Sequence, residues 1–377
     1  MNASAPRVLA WRGSLARFDS EAARGRRVMV VASPNALKRS GLAERLPAEA
    51  VVFSAFTPNP DLSQAVRAAQ LRARTGADLV IGIGGGSALD IAKAARALPP
   101  DPQAARRAVT GTVRPAPSPA ALLAVPTTAG TGSEVTRFAT FYHDGRKVSL
   151  DADGVRPDVA IVDPALTDGC PPWLTWSCAL DALAHAVESF WSTRATPRSR
   201  EFAARALETL VPVLRAGGPV PTAAGRDALS RAATLAGRAI DITRTTAAHA
   251  FAYPLTARLG VPHGHACALH LIWIAPLVEH AADTETVHPL VPALRNLLNA
   301  GDEGLGPATR DLVTRTGLPT GLTARSAATT ALTDLILREG FASNRMAGMP
   351  IPIPRETART AISRLLRPAP TGLTSDP

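Results

Sequence analysis

Three of the chain's eight histidines and one of its two tyrosines fall in a single stretch, Ile242 to His265, which reads ITRTTAAHAFAYPLTARLGVPHGH. His249, His263, His265 and Tyr253 sit there with Arg244 and Arg258, mostly among Ala, Leu, Val and Thr. Polar groups in so apolar a setting must be given partners. Gly260, Pro262 and Gly264 interrupt any helix between His249 and His263, so the chain is expected to turn there and bring both imidazoles to one point. Two imidazoles are too few for a divalent metal, which usually takes three or four protein ligands. The run Asp181-Ala-Leu-Ala-His185-Ala-Val-Glu188 offers more, because Asp181 and His185 lie one helical turn apart on a common face. One carboxylate and three imidazoles suit Fe(II) or Zn(II) better than Mg(II) or Ca(II). An Asp and a His at that spacing also form ordinary hydrogen-bonded pairs, and histidines beside Gly and Pro are often plain loop residues. On these residues alone both readings stand.

A second group of residues has phosphate chemistry. The apolar run Leu79–Ile83 leads directly into Gly84, Gly85, Gly86 and Ser87, with Asp90 and Lys93 following. Glycines at a strand–helix junction let the backbone approach a phosphate, and the helix N-terminus presents unpaired N–H groups to it. The pattern is neither a Walker A loop nor a full GxGxxG, and a tight βα turn would use the same residues. A second loop, Thr127-Thr128-Ala129-Gly130-Thr131-Gly132-Ser133-Glu134, again follows an apolar run. Two such loops at strand ends line one crevice, where open α/β sheets bind ligands, so a dinucleotide cofactor, NAD(P)H, is expected. The first strand ends in Ala32-Ser33-Pro34-Asn35, without the acid that accepts from the ribose 2′-OH of NAD, and Lys38 and Arg39 follow. That leans towards NADPH, although both cations are equally compatible with a solvated face.

The elements that must position these residues change character along the chain. Val28–Ala32, Ala50–Phe53, Leu79–Ile83 and Leu122–Val125 read as buried strands, with helices over Leu37–Arg45 and Leu62–Thr75. This alternation implies a parallel sheet covered by helices. A Pro-rich loop is expected around Pro99–Pro119, and after Pro164 helical periodicity takes over. The fold class is therefore α/β plus all-α: a Rossmann-like nucleotide-binding domain over 1–164 and a helical metal-binding domain over 165–377, the tail from Pro368 being disordered.

Length and composition allow two ordinary domains: 377 residues, 46% hydrophobic and 19% charged. The net charge of +10 is nearly all arginine, since Lys38, Lys93 and Lys147 are the only lysines. The arginines are scattered and aromatics are few, which argues against nucleic-acid binding. Cys170, Cys178 and Cys267 form no CxxC, so neither a disulfide framework nor a thiolate cluster is expected. No apolar run is long enough to cross a membrane, and the N-terminus lacks a signal-like apolar segment, so a cytoplasmic protein is expected.

In order, GGGSALDIAK, TTAGTGSEVT, VDPAL, DALAHAVE, HAFAYPL and PHGHA resemble the iron-containing (group III) metal-dependent alcohol dehydrogenases over about Val28 to Met346. The resemblance implies a dehydroquinate synthase-like architecture with a metal held by Asp181, His185, His249 and His263. It assigns the cofactor to Gly84–Ser87 and Thr127–Thr131, with Asp90 and Ser133 in the same motifs and Lys147 near the ribose. Many members carry a second histidine four residues after the first in HAFAY, thought to assist proton transfer; this chain has Tyr253. A phenol can donate a proton, but from a much higher unperturbed pKa, so Tyr253 either serves in transfer or only shapes the pocket.

Arg244 is a second departure, since many members have small residues there. With Thr243, Thr245 and Thr246 beside it, its guanidinium is suited to a phosphonate or phosphate, unless it pairs structurally with Asp241 or Glu188. The stretch around it is similar to the branch that reduces phosphonoacetaldehyde to 2-hydroxyethylphosphonate. Arg345 is a secondary candidate, and Arg258 reads as solvated. The expected function is thus metal- and NAD(P)H-dependent reduction of a small anionic aldehyde by a homodimer or higher homo-oligomer, in phosphonate natural-product biosynthesis. The alternatives are a broad alcohol dehydrogenase of the lactaldehyde reductase kind and a dehydroquinate synthase-type cyclase or lyase.

Overall fold

Apolar runs separated by helical patterns fold into a six-stranded parallel sheet. Its strands are β1 (Arg7–Ala10), β2 (Val28–Ala32), β3 (Val51–Phe53), β4 (Leu79–Gly84), β5 (Ala121–Pro126) and, after a hairpin, β8 (Val159–Val162), in the order β1-β8-β5-β4-β2-β3. Strands β2 and β4 are buried along their whole length, as a sheet covered on both faces requires. The hairpin pairs β6 (Phe138–His143) with β7 (Arg146–Asp151) around Asp144 and Gly145, whose positive φ values of 51° and 71° fit a tight two-residue turn. Helices α1 (Pro34–Ser40), α2 (Leu62–Thr75), α3 (Gly86–Ala97) and α4 (Pro102–Val109) cover the sheet. The computed structural model describes residues 5–17, 23–115, 118–281, 287–322 and 326–366; the tail expected to be disordered lies outside them.

The remaining helices are α5 (Pro172–Trp191), α6 (Pro197–Ala216), α7 (Ala223–Thr243), α8 (Ala247–Leu259), α9 (His263–His280), α10 (Leu290–Leu298), α11 (Leu305–Arg315), α12 (Ser326–Ala342) and α13 (Arg355–Leu365). Helix α9 packs against α5, α8 and α11. Helix α5 is buried on nearly every side from Thr175 onward, which its apolar composition dictates. None of the helices among the described residues is long and apolar enough to cross a membrane.

Two expectations need correction. The expected helix over Leu37–Arg45 stops at Ser40, because Gly41 at φ 63° caps α1 in the left-handed conformation. The Pro-rich segment contains α4, started by Asp101 as N-cap and Pro102 in its first turn. One compact unit comprises Met1–Cys170 with Thr222–Asp241, and the other Pro171–Pro221 with Ile242–Pro377. Most of α7 thus returns to the sheet unit. Thr234 Oγ1 donates to Glu134 Oε1 at 2.9 Å, Arg226 donates to the carbonyls of Thr167 and Cys170, and Asp241 accepts from Arg137 N and Arg156 at 2.8 Å. Periodicity marks α7 as a helix, but only these long-range partners say which unit owns it.

Candidate metal centre and cofactor loops

Helix α5 carries Asp181, His185 and Glu188 on one face, all three buried. Helix α8 begins after Thr246 and puts His249 in its first turn and Tyr253 one turn later. Gly260 at φ 65° ends α8, and His263 opens α9, so the break expected between the two histidines is present. Gly264 then permits a close helix–helix approach. A Cβ at that position would lie 2.0 Å from the Ser177 carbonyl oxygen and 2.6 Å from Asp181 Cβ. Without a side chain there, His263 is carried up against Asp181.

The polar ends of these residues converge. Asp181 Oδ1 lies 3.4 Å from His249 Nε2 and 3.7 Å from His185 Nε2. The His185 and His249 rings stack at 4.7 Å, and His263 meets His249 edge-on at 5.4 Å. Ligand atoms of Asp181, His249, His263 and Cys267 all lie within 4.8 Å of one another. Asp181 Oδ1 and His249 Nε2 are buried without a hydrogen-bond partner, a costly arrangement that a cation between them would relieve. The donor set fits a divalent transition metal. Asp181, His249 and His263 were expected in it and are there; His185 stands at its edge. Cys267, one helical turn after His263, shares that residue's face and adds a thiol that was not among the expected ligands.

Glu188 completes the site from behind. Its Oε2 meets His249 Nδ1, while its Oε1 accepts from Thr246 Oγ1 at 2.8 Å and Ala248 N at 2.7 Å. Trp191 Nε1 donates to the same Thr246 hydroxyl at 3.1 Å. A carboxylate on Nδ1 fixes the imidazole so that Nε2 faces the cluster. Burial alone would raise the Glu188 carboxyl, but the charge of His249 and the hydrogen bonds from His249 and Thr246 outweigh it and hold the group ionised. Asp181 behaves alike: burial opposes its charge, and His185, His249 and His263 prevail. Burial pushes the Cys267 thiol up to about 11 against the opposing influence of His249.

The phosphate-binding candidates belong to the other unit. Strands β4 and β5 are neighbours, with Gly84 in register with Pro126, so both loops leave the same sheet edge beside the β2–β4 point where strand order reverses. The loops pack on each other. A Cβ on Gly86 would lie 2.9 Å from Thr131 Cγ2, and one on Gly85 would lie 3.2 Å from Thr128 Oγ1. Thr127 N donates to the Gly84 carbonyl at 2.9 Å, and Ser87 Oγ accepts from Asn59 N at 3.1 Å. Asp90 and Ser133 brace this pair of loops: Ser133 Oγ donates to Asp90 Oδ1 at 2.9 Å, and Asp90 Oδ2 accepts from Thr140. Lys93, fully buried, donates to Ser133 Oγ, Thr136 Oγ1 and the Phe138 carbonyl. Lys147 lies on β7, half-buried, opposite Tyr142. At the end of β2 Ser33 caps α1, and Lys38 and Arg39 are exposed.

Arg244 joins α7 to α8 with a positive φ of 65° and is buried to 7% exposure. Asp241 is bonded to Arg137 and Arg156, and Glu188 to His249 and Thr246. Tyr253 is half-buried and stacks on His263, ring centroids 5.6 Å apart. Arg345 lies in a short 3-10 helix, Asn344–Gly348, whose Gly348 approaches Thr246 so closely that a Cβ would meet its Cγ2 at 3.0 Å. Arg258 is exposed. Glu188 was not among the residues expected at the metal, although its spacing of one turn from His185 marks the same helix face.

Known proteins resemble this arrangement. The profile described as iron-containing alcohol dehydrogenase matches residues 5–164, and its C-terminal counterpart, Fe-containing alcohol dehydrogenase family, C-terminal, matches 175–367. A phosphonoacetaldehyde reductase of Streptomyces viridochromogenes is 43% identical over 221 residues, 56% of this chain and 55% of that protein. A sulfoacetaldehyde reductase of Bilophila wadsworthia is 36% identical over 50% of this chain and 49% of its own length. The chain spans about half the length of these curated relatives. Among solved structures, a sulfoacetaldehyde reductase from Bifidobacterium kashiwanohense in complex with NAD+ superposes with a TM-score of 0.82 at 30% identity, covering 96% of this chain and 97% of that one. The chain belongs to the iron-containing alcohol dehydrogenase family.

Proposed function

We propose that this chain is an NAD(P)-dependent, metal-containing aldehyde reductase acting on a small anionic aldehyde, with phosphonoacetaldehyde, reduced to 2-hydroxyethylphosphonate in phosphonate biosynthesis, as the preferred substrate. The observation that carries the reading is Arg244, a buried residue beside three threonines and five residues ahead of His249. Similarity to reductases of phosphonoacetaldehyde and sulfoacetaldehyde supports it.

When bound, the ion held by Asp181, His249, His263 and their neighbours supplies Lewis-acid polarisation, and the nicotinamide supplies hydride. Arg244 binds the anionic tail through charge-assisted hydrogen bonds and so fixes the reach of the carbonyl carbon. Tyr253, stacked on His263, offers its Oη proton to the oxygen that becomes the alcohol. The absence of an acid after β2, with Lys38 and Arg39 exposed nearby, favours NADPH. Three free cysteines fit work in a reducing cytoplasm.

Arg244→Ala tests the substrate assignment by steady-state kinetics with both nicotinamides. Loss of a charge-assisted anchor of about 1.5–3 kcal/mol raises KM for phosphonoacetaldehyde by about 10–100-fold. KM for propanal should stay within about 2-fold, since that substrate has no anion to hold. Equal effects on both would refute the assignment in favour of a broad alcohol dehydrogenase.

A further inference from the structure

Cys267 has chemistry that the family's ligand set does not use. That set is one carboxylate and three imidazoles, without sulfur. Here a thiol with 0% exposure lies one turn after His263 on α9, its Sγ 3.9 Å from His263 Nε2. A buried free cysteine is most often an inert small hydrophobe. The surroundings of this one differ: Asp181 Oδ1 and His249 Nε2, in the same cluster, are both buried and lack hydrogen-bond partners. Two of the spacings also approach those of a coordination shell. An ion held tetrahedrally at ~2.0–2.3 Å from its N, O and S ligands keeps them ~3.3–3.8 Å apart. Asp181 Oδ1 to His249 Nε2 at 3.4 Å and Cys267 Sγ to His263 Nε2 at 3.9 Å already approximate two edges of that figure.

We infer that Cys267 is a direct sulfur ligand of the ion bound by Asp181, His249 and His263, giving an O, N and S site selective for zinc over iron. The inference rests on the reading that this cluster binds a divalent metal. As the metal–sulfur bond forms, the thiol proton leaves to solvent and the sulfur binds as thiolate. Two anionic ligands then neutralise the ion's charge. A soft thiolate shifts preference towards Zn(II), whereas a site of carboxylate and imidazoles alone follows metal supply more closely.

X-ray absorption on the full-length, zinc-loaded protein reads the ligand directly. A sulfur scatterer at about 2.3 Å is expected beside nitrogen and oxygen at about 2.0–2.1 Å. A shell of nitrogen and oxygen alone at one zinc per chain overturns the role of Cys267 and leaves the metal reading intact. Failure to take up zinc overturns both. In cobalt-substituted protein, a near-ultraviolet sulfur-to-metal charge-transfer band is expected in the parent and lost in Cys267→Ala at equal cobalt content. The same band in both proteins overturns the inference, and the absorption measurement on the parent decides the matter even where the variant does not fold.

Discussion

Glu188 joins no ligand pair itself, yet its carboxylate fixes both the tautomer and the tilt of His249, and through Thr246 it ties that histidine to Trp191. Outer partners of this kind typically change metal affinity by about 10–100-fold when removed. Glu188→Gln keeps the shape but gives His249 Nδ1 a neutral neighbour. Its zinc affinity, measured by competition with a chromophoric chelator, is expected to fall within that range while the fold, followed by circular dichroism, persists. Unchanged affinity would mean that His249 is held by packing alone. The aspartate and the histidines were legible in the sequence because their types are rare and their spacing helical. Glu188 and Cys267 were not, because a carboxylate or a thiol acquires a role at the metal only from what faces it on another helix.

Helix α9 also carries a fully buried imidazole, His270. His270 has 0% exposure, sits against the rings of Phe251 and Trp273, and accepts from Trp273 Nε1 at 3.0 Å. Burial pushes it down to about 3. The unfolded chain takes up a proton at this residue below about pH 6.5, whereas the folded one stays neutral until about pH 3. Stability contributed by the neutral form is therefore intact above pH 6.5 and drains away as the pH falls through this window. Between pH 7.5 and 4.5 the parent should lose on the order of 2–3 kcal/mol more unfolding free energy than His270→Gln, as measured by urea denaturation. Equal losses would show that His270 is accessible to protons in the folded state. At this scale the sequence was most legible where one periodicity dominates: β2 and α2 have the bounds read from it. It was least legible at β1 and β8, each four residues long, and at α4, hidden in a Pro-rich segment.

Over the whole molecule the excess of arginine is spread rather than gathered. Arg12 bridges Asp168 and Asp227, Arg156 meets Asp241 and Arg359 meets Asp334, pairs that dilute any single basic face without adding much stability where exposed. The allocation of α7 was the largest feature that periodicity could not resolve, since the division between units falls inside one unbroken helix, after Asp241. Just beyond the end of α7 stands Arg244, at a φ of 65° that costs a side-chain-bearing residue about 1–2 kcal/mol and glycine almost nothing. Arg244→Gly should therefore melt above Arg244→Ala by about 1–3 °C, for a chain of this size, although neither retains the guanidinium. A single codon change to glycine would relax the backbone and widen the range of accepted aldehydes in the same step. The left-handed backbone at this junction is thus a standing cost that any side chain placed here carries, the arginine included.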